Sequence, residues 1–168
     1  TVGAIVINNA VGNPLLNDGP SFLSGHLELE KEFGGYGLSD KKYDNILRAK
    51  RIPPSLRKTN TLNDISSNTV IGVVATDAPL TRTNLKRLAI MAHDGIARSL
   101  SPAHTPMDGD TIFSISTNQN HKDQVLESVD ILALGSRASD CVARACNRAV
   151  YEATSIGNSK PGWKSLFS

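Results

Sequence analysis

The sequence holds 168 residues, 39% of them hydrophobic, with a formal net charge of +2, which suits one ordinary domain or a piece of a larger one. Lys and Arg are spread along the chain and form no basic stripe of the kind that binds nucleic acid. No apolar run reaches the ~20 residues that span a bilayer, and no signal peptide opens the chain, so neither nucleic acid nor membrane is an expected partner.

Residues 1–10 (TVGAIVINNA) read as a buried strand from the first residue. Natural domains rarely begin in mid-core. The strand is therefore expected in the interior of a sheet completed by another segment, one that precedes this chain or is carried separately. An edge presenting Val2, Ile5, Val6 and Ile7 would otherwise invite aggregation. Residues 11–68 change character, with many Gly and Pro, short helices around Leu27–Phe33 and Tyr43–Ala49, and a polar, turn-rich arm from Lys58 to Asn68. At Thr69 a second buried strand begins (TVIGVVAT) and ends at Asp77-Ala-Pro. Thr81 or Thr83 is placed to cap a helix running to about Leu100, with Leu85, Leu88, Ala89, Ala92, Ile96 and Ala97 as its apolar face. After a loop from Ser101 to Gly109, residues 110–117 read as a third strand with Ile112, Ser114 and Ser116 on one face. Residues 123–154 read as one long Ala-rich helix, or two broken near Gly135, and the tail with Trp163 and Phe167 reads as a partly ordered end rather than a docking segment.

Chemistry concentrates at three places. At Asn68-Thr69 a polar arm runs straight into a strand whose first residue is Thr. That junction suits autoproteolysis. The Thr69 hydroxyl attacks the Asn68 carbonyl, an N-to-O shift makes an ester, and water releases a Thr whose α-amine serves as base for its own hydroxyl. Asp108-Gly109-Asp110 stands at a loop-to-strand boundary, where alternate residues face the same side. Two close carboxylates there can share a proton and assist Thr69. Asn9 closes the first strand, where its amide can donate to an oxyanion. Each feature has an ordinary structural reading when taken alone. A Thr often opens a strand, DGD makes a solvated turn, and Asn commonly precedes a turn. His26, His93, His104 and His121 lack metal-ligand spacing, so no metal is expected. Cys141 and Cys146 stand five apart on a helix and point apart. They are expected as unpaired buried or half-buried thiols, in a reducing, cytoplasmic setting.

Taken together, four ordered blocks resemble the DmpA/NylC family of N-terminal-nucleophile hydrolases: TVGAIVINNAVG at 1–12, NTVIGVVATDAPLT at 68–81, NLKRLAIMAHDGIARSL at 84–100 and PAHTPMDGDTIFSIST at 102–117. The resemblance implies an α/β fold of the four-layer αββα sandwich type, completed by a missing N-terminal portion. It makes residues 1–68 the end of an α-subunit portion and residues 69–168 a β-subunit portion beginning with the nucleophile. Thr69 then matches the nucleophile, Asn68 the residue before the cut, Asn9 the oxyanion-stabilising Asn, and Asp108 and Asp110 the assisting acidic pair. Thr1 leads a similar strand, but lacks the preceding arm and the ATDAPL block. The implied activity is amide hydrolysis through a Thr acyl-enzyme, without cofactor, on short peptides, D- or β-amino-acid amides or 6-aminohexanoate oligomers, by an oligomer of processed heterodimers. A Thr nucleophile with an intact DGD is closer to the nylon-oligomer branch. Rival readings are an acyltransferase resembling ornithine acetyltransferases, which would hand the acyl group to an amine, and a non-catalytic domain that never cleaves. The segment between Asn9 and Thr69 is longer than the family pattern.

Overall fold

The computed structural model describes residues 1–16, 19–37, 68–118, 125–155 and 161–167. The stretch 43–49, read above as a helix, and most of the arm before Asn68 lie outside them. Three strands form one sheet in the order β1 (Val2–Asn9), β2 (Thr69–Thr76), β3 (Thr111–Ser116). β1 runs antiparallel to β2, with Val2 opposite Thr76 and Asn9 opposite Thr69. β3 runs parallel to β2, reached through α1 (Arg82–Ser99). The crossover is what a parallel pair requires. α2 (Ser128–Glu152) and a short α3 (Trp163–Phe167) complete the order.

Alternation decides the two faces of the sheet. Val2, Ala4 and Val6, then Val70, Gly72 and Val74, then Ile112 turn toward α1 and α2, where Leu88, Ala92, Ile96, Leu100, Ala138, Val142 and Cys146 close the core. Ser114 and Ser116 share that face, and their hydroxyls donate to the carbonyls of Leu85 and Ala78 at 2.7 and 2.5 Å. The other face carries Ile5, Ile7, Ile71, Phe113 and Ile115, all exposed. The fully buried strands read from the sequence are thus half-buried here, because among the described residues helices cover one face only. β1 lies at a sheet edge. Its interior placement needs a further strand.

Thr81 caps α1, accepting from the Asn84 N–H at 3.2 Å. The helix face differs from the reading at its C-terminal end: Ala97 is exposed, and Gly95 and Ser99 are buried instead. The reason is the crossing with α2. A Cβ on Gly95 would lie 2.4 Å from the Ser139 carbonyl oxygen and 2.8 Å from Val142 Cβ. Gly95→Ala is therefore expected to lower the denaturation midpoint, by an overpacking cost of about 1–3 kcal/mol. α2 does not break at Gly135, whose missing side chain admits Met91. Its start is set at Glu127, where a capping box with Asp130 satisfies the first N–H groups.

Two further readings are corrected. Around 27–33 there is only a 3-10 turn at Gly25–Leu27, followed by positive φ at Glu30 and Lys31, which no helix accepts. The tail docks instead of fraying. Trp163 is buried against Phe22 and Phe33, joined by Leu15, Val150, Tyr151 and Phe167. Glu32 ties the same loop to α2 through Arg144, at 2.5 and 3.0 Å.

Both cysteines are free, Cys141 half-buried and Cys146 buried. Burial pushes the Cys146 thiol up to about 11. Below about pH 8.5 both the folded and unfolded states keep that proton. Between there and about 11 only the unfolded chain loses it, so stability falls as pH rises, by ~1.4 kcal/mol per unit. Cys146→Ala should flatten this part of the profile when unfolding is compared at pH 8 and pH 10. No described helix is long and apolar enough to cross a membrane.

Candidate active site

The end of β1, the start of β2 and the approach to β3 meet at one end of the sheet. Asn9 stands directly opposite Thr69 in the ladder, on the exposed face, where facing Cβ atoms lie about 4.5–5.5 Å apart. Asn68 and Asp108 form a parallel bridge, so the residue before Thr69 lies beside the DGD turn. The five residues singled out from the sequence (Asn9, Asn68, Thr69, Asp108 and Asp110) therefore share one locality. Thr1 does not share it. It lies beside Thr76 and Asp77, at the other end of an eight-residue strand, roughly 20 Å away.

The Thr69 hydroxyl donates to the carbonyl oxygen of Asn68 at 2.5 Å. The same oxygen accepts from the Gly109 N–H at 3.0 Å. Gly109 lets the turn approach closely: a Cβ there would lie 3.1 Å from Thr69 Oγ1, a tight contact.

The two carboxylates are held differently from the simple convergence read above. Alternation turns Asp110 to the helix-facing side, while Thr69 faces the other way. Asp110 Oδ1 accepts from the Val70 N–H at 2.9 Å, and Oδ2 meets His104 Nδ1 at 2.7 Å, with the side chain only 4% exposed. Asp108 Oδ1 accepts from the Val11 N–H at 3.2 Å. Its Oδ2 accepts from the Thr105 N–H and hydroxyl at 3.0 and 2.6 Å. Asp110 thus orients the backbone that follows Thr69, Asp108 ties Val11 to Thr105, and neither carboxylate bonds the Thr69 hydroxyl. The 101–109 loop that supplies these contacts is anchored by paired backbone bonds between Asn13 and Ser101, at 3.0 and 3.1 Å.

Sequence reasoning missed Gly109, Thr105, His93 and His104. The spacing of the histidines speaks only to metal binding. His93 Nε2 stands 3.3 Å from the Asp110 carbonyl oxygen, and its ring stacks on His104 at 4.2 Å. The one available signal was the closeness of HT at 104–105 to DGD. Among the described residues no group of three or more His, Cys, Asp or Glu could hold a metal ion.

An aminopeptidase of Mycobacterium bovis, described as uncharacterized, is 34% identical over 99% of this chain and 48% of its own length. One from Mycobacterium leprae is 35% identical over 93% of this chain and 42% of its own. The 6-aminohexanoate-oligomer endohydrolase of a Kocuria species is 25% identical over 69% of this chain and 29% of its own. Among solved structures, the L-aminopeptidase D-Ala-esterase/amidase of Ochrobactrum anthropi aligns with a TM-score of 0.47 at 27% identity, over 62% of this chain and 31% of that one. The chain thus spans about half the length of the curated relatives it matches. The sequence profile of Peptidase family S58 matches residues 1–161, and the chain belongs to that family.

Proposed function

We propose that this chain is the C-terminal part of a self-processing amide hydrolase in which Thr69 is the nucleophile. The observation that carries the reading is the shared carbonyl of Asn68, approached by the Thr69 hydroxyl at 2.5 Å and by the Gly109 N–H at 3.0 Å. Thr69 Oγ attacks the Asn68 carbonyl carbon. Negative charge develops on the oxygen that Gly109 already addresses, where a fixed donor is worth most. The C–N bond breaks, the Thr69 nitrogen takes a proton, and an ester remains. Water cuts the ester, leaving a carboxylate on Asn68 and a free amine on Thr69. A substrate amide then takes the place of the Asn68 peptide. Asn9 and the Gly109 N–H meet its oxyanion, the Thr69 amine acts as base, the amine product leaves, and water releases the acid.

On this reading the pieces 1–68 and 69–168 stay together after the cut. The β1–β2 ladder, the Glu32–Arg144 pair and the Phe22–Phe33–Trp163 cluster all join one piece to the other. The exposed apolar face of the sheet and the outer edge of β1, unpaired among the described residues, are where the rest of a family protein would complete a four-layer sandwich. Relatives named aminopeptidase stand at 34–35% identity and the oligomer endohydrolase at 25%. Short peptides and amino-acid amides are accordingly the favoured substrates over 6-aminohexanoate oligomers. Intact-mass analysis of the active protein is expected to give two species whose masses sum to that of the precursor plus one water, with a new amino terminus at Thr69. Active protein that is wholly uncut overturns the reading.

A further inference from the structure

Asp110 is a buried carboxylate whose two oxygens are spoken for by different parts of the chain. Oδ1 takes the Val70 N–H at 2.9 Å, so it fixes the peptide that follows Thr69. Oδ2 meets His104 Nδ1 at 2.7 Å. An ionised carboxylate only accepts, so with Asp110 ionised the hydrogen lies on Nδ1. The ring cannot turn freely away, because His93 from α1 stacks on it at 4.2 Å with 10° between the planes. His93 Nε2 meets the same Asp110 through its carbonyl oxygen at 3.3 Å. Two imidazoles from two elements therefore address one residue.

The backbone shows what this arrangement costs. His104 has φ 53°, a left-handed conformation uncommon outside glycine, though His and Asn enter it more readily than most residues. The side chain is still 35% exposed, so burial of the ring does not account for its being there. Its contacts with Asp110 and His93 do. We infer that His104 is a positioning residue for the Thr69 centre: through Asp110 it fixes the Val70 amide, and so the direction in which Thr69 presents its hydroxyl and, once cut, its amine. This rests on the reading of Thr69 as nucleophile.

Three versions of the full chain test it: wild type, His104→Gly and His104→Asn. Glycine relieves the backbone and removes the donor. Asparagine also tolerates the left-handed region, and it keeps an N–H near the place of Nδ1. Two rates are read, the first-order cut at Asn68-Thr69 by intact mass and the steady-state hydrolysis of an amino-acid p-nitroanilide by the mature protein. Thermal midpoints confirm that all three fold. H104G is expected to slow the cut about 10- to 100-fold, as small misplacements of a reacting group do. It should lower kcat to a similar degree with KM within about twofold, the mark of an interaction that matters in the transition state. H104N should recover both rates to within about threefold of wild type, because the donor rather than the ring is what Asp110 needs. Wild-type rates in H104G overturn the inference. So does an H104N as slow as H104G at equal thermal midpoint. Both outcomes leave the Thr69 reading standing. If the wild type itself is active yet never cut, that parent reading falls, and this inference with it.

Discussion

Thr69→Ala should remain a single uncut chain and hydrolyse no amide above background. The expected loss is about 10⁴-fold or more, because removing a nucleophile leaves only binding and oxyanion contacts to act. The alanine chain still holds Gly109 behind the Asn68 carbonyl, but no oxygen approaches that carbonyl from Thr69's position. The fold should be unaffected. Thr69 is only half-buried at the head of β2, and the core beneath it is built from Val70 and Val74. Thr69→Ser keeps the hydroxyl and should still cut, within about 10-fold of the wild-type rate. Thr1→Ala should cut normally, since Thr1 lies at the far end of the sheet beside Asp77. Mass spectrometry on the three variants decides among these outcomes. A T69A chain that is cut, or a T1A chain that is not, reverses the assignment.

The strands were legible because Val and Ile recur in short runs that end at Asn9 and at Asp77-Ala-Pro. Helix α1 was legible because its apolar spacing and Thr81 agree. What periodicity misses is the depth of a crossing. Ala97 has the right spacing to be buried, yet the close approach allowed by Gly95 rotates the buried stripe toward Gly95 and Ser99. The tail was misread for a related reason. Trp163 follows a Gly- and Pro-containing stretch and carries no periodic signal, and its partners Phe22 and Phe33 lie more than a hundred residues earlier. At the site, the residues with reactive side chains stood out in the sequence. The Gly109 N–H on the Asn68 oxygen did not, because it is a main-chain donor that any residue but proline carries. The orientation of the carboxylates was also out of reach. DGD places both Asp on one side of an extended chain, but which side depends on the register of β3 against β2. That register turns Asp110 inward to His104 and the Val70 amide.

Gly109→Pro removes that main-chain donor and is expected to slow the cut at Asn68-Thr69 by about 10² to 10³-fold, the range for loss of one oxyanion-hole donor. The preceding residue suits proline, although the ring carbon that replaces the N–H crowds the Asn68 oxygen and the local backbone must shift. Proline asks the preceding residue to be extended, and Asp108 already pairs with Asn68 as a bridge. The Asp108 carboxylate keeps its bonds to Val11 and Thr105, so the loop retains its other anchors. Gly109→Ala separates two effects that proline combines. Alanine keeps the N–H but sets a Cβ 3.1 Å from Thr69 Oγ1, a tight contact that a small shift of the hydroxyl relieves. Its penalty should be about 10-fold or less. Cleavage followed by mass over time, with unfolding midpoints to confirm folding, distinguishes the two. Equal slowing in G109A and G109P would mean that crowding of Thr69, and not the lost donor, is responsible. A fast G109P would mean that the Asn68 oxygen finds its stabilisation elsewhere, with Asn9 across the ladder as the nearest candidate. The mature enzyme supplies an independent check. On the proposed function a substrate carbonyl takes the place that Asn68 vacates, so the same N–H should serve both reactions, and kcat in pre-cut G109P protein should fall in parallel with its processing rate.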